Sequence, residues 1–395
     1  MRNEERGMSM TFACYRMPYA DEFVRVEQRD GAACQLASPA ELDGREGFVV
    51  APFVVSADCP LLLIRPDIVT RHRVDEELGN EEGGTRKEEL RKRQLSREER
   101  ASYHDSFELF HRELQKGQFR KIVLARRIKE TFGEDVDAEQ LFLKACKSYP
   151  RMFVALVSTP ESGMWLMATP EVLVEEREER GERREEKGKA TFHTMALAGT
   201  MALHGRHLTF DTPPGTATRN TPAATPEWGQ KLGWTDKNIE EQRFVATYIL
   251  ERLKHLADDI EEQGPRTVRA GNLVHLRSDF LFTLREGKGL GALLEALHPT
   301  PAVCGVPKDV ALDFILKNEP SPRRYYSGFC GPLNLHISAD EQAATDTSLF
   351  VSLRCMQIDG RTCMLYAGGG LLKESEEQQE WEETEAKMQT MRSLF

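Results

Sequence analysis

Between Phe350 and Lys387 the chain concentrates groups suited to holding a small anion. Apolar runs flank Asp359-Gly360, a pair that favours the tight turn of a β-hairpin. Arg354 falls on the first strand of that hairpin, and the second strand runs into Ala367-Gly368-Gly369-Gly370. An acidic helix follows, with Glu383 and Lys387 one turn apart. A fixed guanidinium and a nest of exposed glycine N–H groups suit a carboxylate or phosphate. A helical carboxylate beside them suits a divalent metal. Most i,i+4 Glu–Lys pairs are solvated surface decoration. This one follows the glycines and shares its helix with Trp381, Met388 and Met391.

Four other positions invite a chemical reading, each beside a plainer one. Glu241 lies one turn before Phe244 and Val245, at the head of a buried helical stripe, whereas Glu240 points about 100° away. A carboxylate on a buried face needs a partner, and a metal is one; an acid favouring the helix macrodipole explains it equally well. Lys121 opens an apolar strand. Such lysines are usually exposed, but a buried one would have a lowered pKa and act as a base. Glu171 ends Ala168-Thr169-Pro170-Glu171, where turn acids are common; kept protonated by burial, it would donate to a leaving group. His275 and His298 sit beside apolar residues, more often as satisfied core residues than as ligands. No H-E-x-x-H, G-x-S-x-G, Walker loop or full G-x-G-x-x-G occurs.

The elements that must position these residues alternate without strict βαβ order, which predicts an α+β fold. Short apolar runs (Phe48 to Val50, Phe53 to Val55, Leu61 to Ile64) predict strands near the N-terminus. Tyr103, Phe107, Phe110 and Leu114 recur at helical spacing, with Gly117 at the C-cap. Strands are expected at Lys121 to Ala125, Phe153 to Val157 and Trp165 to Ala168, and a long helix from about Asp236 to Glu262. Asp75 to Arg100 reads as a charged linker or surface helix. Glu175 to Lys189 reads as an exposed hairpin tip or disordered excursion, and Leu203 to Gly229 as a long loop.

With 64 acidic against 53 basic residues, the net charge of −11 over 395 residues makes nucleic acid an unlikely partner on charge alone. The eight cysteines include no C-x-x-C, as expected of reduced thiols in a cytoplasmic protein. Neither a signal-type h-region nor a membrane-length apolar run occurs, so no membrane association is expected.

Ten motifs in order, KIVLAR, ATPE, LAGT, KNIEEQ, VHLRS, HPTPAVCG, YYSGF, LRC, AGGG and EWEETEAK, resemble those of chorismate-utilising enzymes. That family includes isochorismate and salicylate synthases, anthranilate synthase component I and aminodeoxychorismate synthase. The resemblance runs from about Tyr103 to Phe395. It implies a single α+β domain of two face-packed antiparallel β-sheets with outer helices. Residues 103–395 would be the chorismate-binding core, and residues 1–102 a β-rich part of the same domain ending in a charged linker. It implies that Glu241 and Glu383 hold Mg2+, which binds the ring carboxylate of chorismate. Arg354 and Tyr326 would grip the enolpyruvyl carboxylate beside the Gly368 backbone, with Gly199, Thr200, His275, Ala302 and Lys387 lining the rest. Lys121 would activate a water to attack C2, and Glu171 on the opposite face would protonate the departing C4 hydroxyl.

Within the family, water-using members carry the lysine of KIVLAR where ammonia-using members have glutamine. Aminodeoxychorismate synthases place a lysine nucleophile in PIKGT, where this chain has Leu197-Ala198-Gly199-Thr200. Salicylate synthases tend to carry threonine at the position of Ala302. The chain departs from the family in Met201-Ala202-Leu203 after LAGT, in the length of the following loop, and in Gln242 where histidine is frequent. The expectation is therefore a monomeric, Mg2+-dependent isochorismate synthase serving menaquinone biosynthesis. The alternatives are a salicylate synthase, a siderophore-pathway isochorismate synthase, and a chorismate-binding pseudoenzyme.

Overall fold

The computed structural model describes residues 11–77, 97–177, 190–202, 233–270, 273–336 and 347–395. The N-terminal part supplies β1 (Thr11–Arg16), β2 (Glu22–Gln28), β3 (Cys34–Leu36), β4 (Gly47–Ala51), β5 (Leu61–Ile64) and β6 (Ile68–Arg73). Then come α1 (Arg97–Gln115), β7 (Lys121–Thr131), α2 (Ala138–Ser148), β8 (Phe153–Thr159), β9 (Gly163–Thr169), β10 (Val172–Arg177) and β11 (Thr191–Ala202). The next elements are α3 (Asp236–Leu253), β12 (Ala257–Ala270), β13 (Leu273–Leu284), α4 (Leu290–Leu297), β14 (Gly305–Val306) and α5 (Lys308–Asn318). The chain ends with β15 (Phe329–Leu333), β16 (Ser348–Val351), β17 (Cys355–Asp359), β18 (Thr362–Leu371) and α6 (Glu377–Arg392).

These strands form two nine-stranded antiparallel sheets, in the orders β14-β7-β18-β17-β9-β8-β1-β2-β6 and β12-β13-β11-β10-β16-β15-β4-β5-β3. Strands buried on both faces read as continuous apolar runs, as in Phe153 to Val157 and Leu61 to Ile64. Their inner faces meet in a core that takes Tyr15, Phe153, Trp165 and Tyr366 from the first sheet, and Phe48, Leu62, Leu197 and Phe350 from the second. Phe153 and Phe350 stack across it at 4.1 Å and 5° between planes. Truncating either ring to alanine would cost about 3–5 kcal/mol. Helices α2 and α6 cover the outer face of the first sheet, and α3 and α4 that of the second. N-terminal strands join both sheets: β1 pairs with β8, and β4 with β15. Among the described residues no helix is long and apolar enough to cross a membrane.

Several expectations change in the folded chain. The helix expected to reach Glu262 stops at Leu253, and Ala257–Ala270 is instead the edge strand β12. The apolar stripe ends at Leu256, and the charged positions beyond it suit an edge strand facing water. Phe53 to Val55, expected as a strand, is a bend after Pro52, with the Phe53 ring buried beneath the Arg323 guanidinium. Ala367 to Gly370 form no open nest: they lie inside β18, with Gly368 opposite Ala125 and Gly370 opposite Val123 of β7. Arg354 precedes the hairpin strand, at the corner between β16 and β17, with φ +47°. The stretch from Asp75 to Arg100 is helical at its described ends, and residues 78–96 lie outside the described residues. Most of Glu175 to Lys189, and the Leu203 to Gly229 loop, lie outside them too.

Candidate active site

Glu171 and Arg354 owe their positions to two neighbouring corners where the chain changes sheet. One carries it from β9 to β10 through Pro170-Glu171, the other from β16 to β17 through Ser352 to Arg354. The corners are tied to each other: Val351 N donates to Glu171 O at 2.9 Å, and Ala168 N to Arg354 O at 3.1 Å. Both residues line one cavity with Val123, Thr200, Glu241, His275, Ala302, Tyr326, Gly368 and Lys387. The space is narrow, about 50 Å³ open to water.

Arg354 is buried. Its Nη2 donates to His275 Nε2 at 2.9 Å, while Nη1 is buried without a protein partner. His275 Nδ1 lies 3.3 Å from Thr200 Oγ1. Burial, then Arg354 and Lys387, push the imidazole well below its usual range, so His275 is neutral and accepts from the guanidinium. A buried guanidinium beside a neutral partner keeps an open donor and an unbalanced charge, the elements of a carboxylate receptor. Tyr326 adds a hydroxyl nearby: its Oη would lie 2.8 Å from a Cβ placed on Gly368. Gly199 does not itself line the cavity. It takes φ +69° at a bulge against β13 and packs on Asn238 of α3, setting the turn from Ala198 to Thr200, both of which do.

At the other end, Lys121 opens β7 wholly buried, with Nζ 3.1 Å from Glu241 Oε1 as an ion pair rather than an aligned hydrogen bond. Glu241 is on the buried face of α3 and Glu240 is exposed, as the helical phase requires. Burial alone would raise the Glu241 pKa, but Lys121, Lys237 and Lys387 together hold it below the usual carboxylate range. Lys387 Nζ bridges Gly368 O at 2.9 Å and Glu383 Oε1 at 2.7 Å. Glu171 contrasts with Glu241. Burial pushes its pKa up to about 8, against the pull of Lys121, Arg354 and Lys387, so at neutral pH it carries a proton.

The glycines explain how these groups come together. A Cβ on Gly370 would lie 2.2 Å from Glu241 Oε1 and 2.9 Å from Lys121 Cε, so only glycine lets both approach the strand. A Cβ on Gly369 would meet Glu380 Oε2 at 3.1 Å. Glu380 is a buried carboxylate that sequence reasoning missed. It stands one turn before Glu383, pairs with Lys237, and leaves Oε2 without a partner. Burial and then Glu383 raise its pKa to about 7, against Lys237. The signals were its spacing from Glu383, and Lys237 four residues before Glu241. His298, read as a core residue, is one: its Nε2 is shared between the Pro52 and Phe53 carbonyls at 3.2 Å, and burial lowers its pKa to about 4.

Hard oxygen donors, the glycine gap beside Glu241 and the orphaned Oε2 of Glu380 fit Mg2+, which takes few protein carboxylates and keeps water or substrate oxygens. Glu241, Glu380 and Glu383 are not gathered into one tight group, whereas His104, Glu108 and Glu377 are, largely exposed between α1 and α6.

The family profile described as "Chorismate binding enzyme" matches residues 43–395. Isochorismate synthase MenF of Escherichia coli (strain K12) is 28% identical over 290 residues, 73% of this chain and 58% of that protein. Isochorismate synthase DhbC of Bacillus subtilis (strain 168) is 28% identical over 284 residues, 70% of this chain and 63% of that protein. The chain thus matches about three-fifths of these relatives' length. The crystal structure of a putative 2,3-dihydroxybenzoate-specific isochorismate synthase, DhbC from Bacillus anthracis, has a TM-score of 0.70 at 20% identity, covering 99% of this chain and 97% of that one, a likeness of fold.

Proposed function

Because this chain belongs to the chorismate binding enzymes, we propose that it is an isochorismate synthase that uses Mg2+ to convert chorismate to isochorismate. The observation that carries the reading is one cavity lined by a buried glutamic acid kept protonated and a buried guanidinium with an open donor, with the buried Lys121 ion-paired to Glu241 of its wall. Arg354 Nη1 and the Tyr326 hydroxyl receive the enolpyruvyl carboxylate, with His275 fixing the guanidinium. Lys121 acts as the base in its neutral amine form: Nζ takes a proton from a water as the water oxygen bonds to C2. Glu171 gives its proton to the C4 hydroxyl, which leaves as water while the ring double bonds shift. One water enters and one leaves, so the net change is an isomerisation. Glu241 and Glu383 would hold the metal, which when bound fixes the ring carboxylate and screens its charge.

Ala302 and Lys121 support water addition that stops at isochorismate over salicylate or anthranilate formation. Menaquinone synthesis is the destination we assign, with a siderophore pathway as the second reading; the likeness to the isochorismate synthases MenF of E. coli and DhbC of B. subtilis supports the reaction the two readings share. The test is to incubate the purified chain with chorismate and Mg2+ and separate isochorismate, salicylate and anthranilate. Mg2+-dependent isochorismate is expected. Salicylate as the main product would transfer the chain to the salicylate synthases, and no product would leave a chorismate-binding protein.

A further inference from the structure

The cluster of lysines and glutamates around Glu241 holds one cation more than this chemistry uses. Lys121 serves the reacting water, and Lys387 is tied to Gly368 O and Glu383. Lys237 has neither task. It stands one turn before Glu241 on α3, with 19% of its side chain exposed, and its ammonium pairs with the buried Glu380 of α6. Glu241 and Glu383 act on it electrostatically as well, so it faces three carboxylates from two helices. Glu380 is held through Oε1 by Lys237, Oε2 meets no aligned donor, and the Ser375 hydroxyl also acts on the carboxylate.

An ammonium and a divalent cation seek the same surroundings here. Resting on the reading that Glu241 and Glu383 hold Mg2+, we propose that Lys237 is a built-in competitor for that ion, satisfying Glu380 and repelling a second cation. Each of the three carboxylates stands beside a lysine, which fits this role. The consequence is a site whose affinity for the bare ion is held down, so that the metal is retained chiefly when substrate oxygens add to its ligands. A unit charge beside a divalent ion changes affinity by about tenfold or more, even at the dielectric of water.

The test is calorimetric titration of MgCl2, with MnCl2 as a second probe, into wild type, Lys237→Gln and Lys237→Arg without chorismate. Lys237→Gln keeps a donor to Glu380 and is expected to bind Mg2+ about tenfold or more tightly than wild type. Lys237→Arg keeps the charge and is expected to gain nothing. A purely structural lysine predicts equal or weaker binding in Lys237→Gln, and that result overturns the inference while leaving the proposed function standing. Binding of neither ion by any of the three, with or without chorismate, would remove the metal reading and the competition with it. A readout on wild type covers misfolding of the variants. Reductive methylation mapped by mass spectrometry is expected to show Lys237 more reactive once Mg2+ is added, and unchanged or lower reactivity contradicts the proposal.

Discussion

At the Arg354 end of the cavity a buried cation stands beside neutral partners, whereas at the α3–α6 end three lysines face three glutamates. Arg354 has His275 and Tyr326 for company, so its charge is free to be met by a ligand. At the other end Lys121 faces Glu241, Lys237 faces Glu380 and Lys387 faces Glu383. Charge there is already balanced, and a metal with its anion must enter as a neutral unit or displace a lysine. Glu171 sits at a corner beside the first end, feels cations from both, and still keeps its proton through burial. One end thus suits a carboxylate, the other is a polar cluster of paired charges, and the proposed acid and base belong to one each.

The sharpest way to break this contrast is to remove the chemistry and spare the ends. Lys121→Ala and Glu171→Gln are each expected to lower kcat by about 10²–10⁴-fold, the usual contribution of a positioned acid or base. Circular dichroism is expected to be unchanged; near-normal kcat in either variant breaks the acid–base pair. Arg354→Leu attacks the receptor end. Loss of one or two charge-assisted hydrogen bonds predicts a KM for chorismate about 10–100-fold higher, and an unchanged KM would put the carboxylate elsewhere. Gly370→Ala attacks the balanced end, because the new methyl cannot share space with Glu241 and Lys121. A stability loss of about 1–3 kcal/mol is expected, with activity falling further than stability. A tolerated alanine would show that Glu241 has room to spare.

The most gradual effect is in the pH dependence. Glu171 keeps its proton up to about pH 8 in the folded chain, against 4.5 for an ordinary glutamic acid. Between those values the folded chain binds a proton the unfolded chain has released, so this group makes stability fall as pH rises. The slope is at most about 1.4 kcal/mol per pH unit. Glu171→Gln is expected to flatten that part of the unfolding profile, and wild-type turnover is expected to fall as pH rises through about 8. Turnover that holds level well above that pH would mean another group donates the proton.

How much of this was legible in the sequence varied with how local the cause was. Helical phase alone separated Glu241 from Glu240, and alternation and turn chemistry located the β17–β18 hairpin and the core strands. The burial of Lys121 depended on β14 and β18 pairing on either side of β7, which no local pattern records. The glycines of β18 looked like a loop because glycine weakens strands; their reason is the close approach of Glu241, Glu380 and Tyr326 from distant elements. Arg354 looked like a strand residue because its apolar neighbours run on, but the chain changes sheet there. Glu380 and Lys237 were hidden because each has a charged side chain at home on a helix surface, and only the packing of α3 near α6 makes them partners. The proposed roles of Lys121, Glu171, Glu241 and Glu383 came from the ordered motifs rather than from their spacing.

The most direct test of the account is the origin of the product's hydroxyl oxygen. Chorismate converted briefly in water enriched in 18O, with Mg2+ present, is predicted to give isochorismate carrying one heavy oxygen at C2, as read by mass spectrometry of the isolated product. Unlabelled isochorismate would mean that the original hydroxyl migrates without exchange, and would contradict a water activated by Lys121 on one face and a hydroxyl expelled by Glu171 on the other.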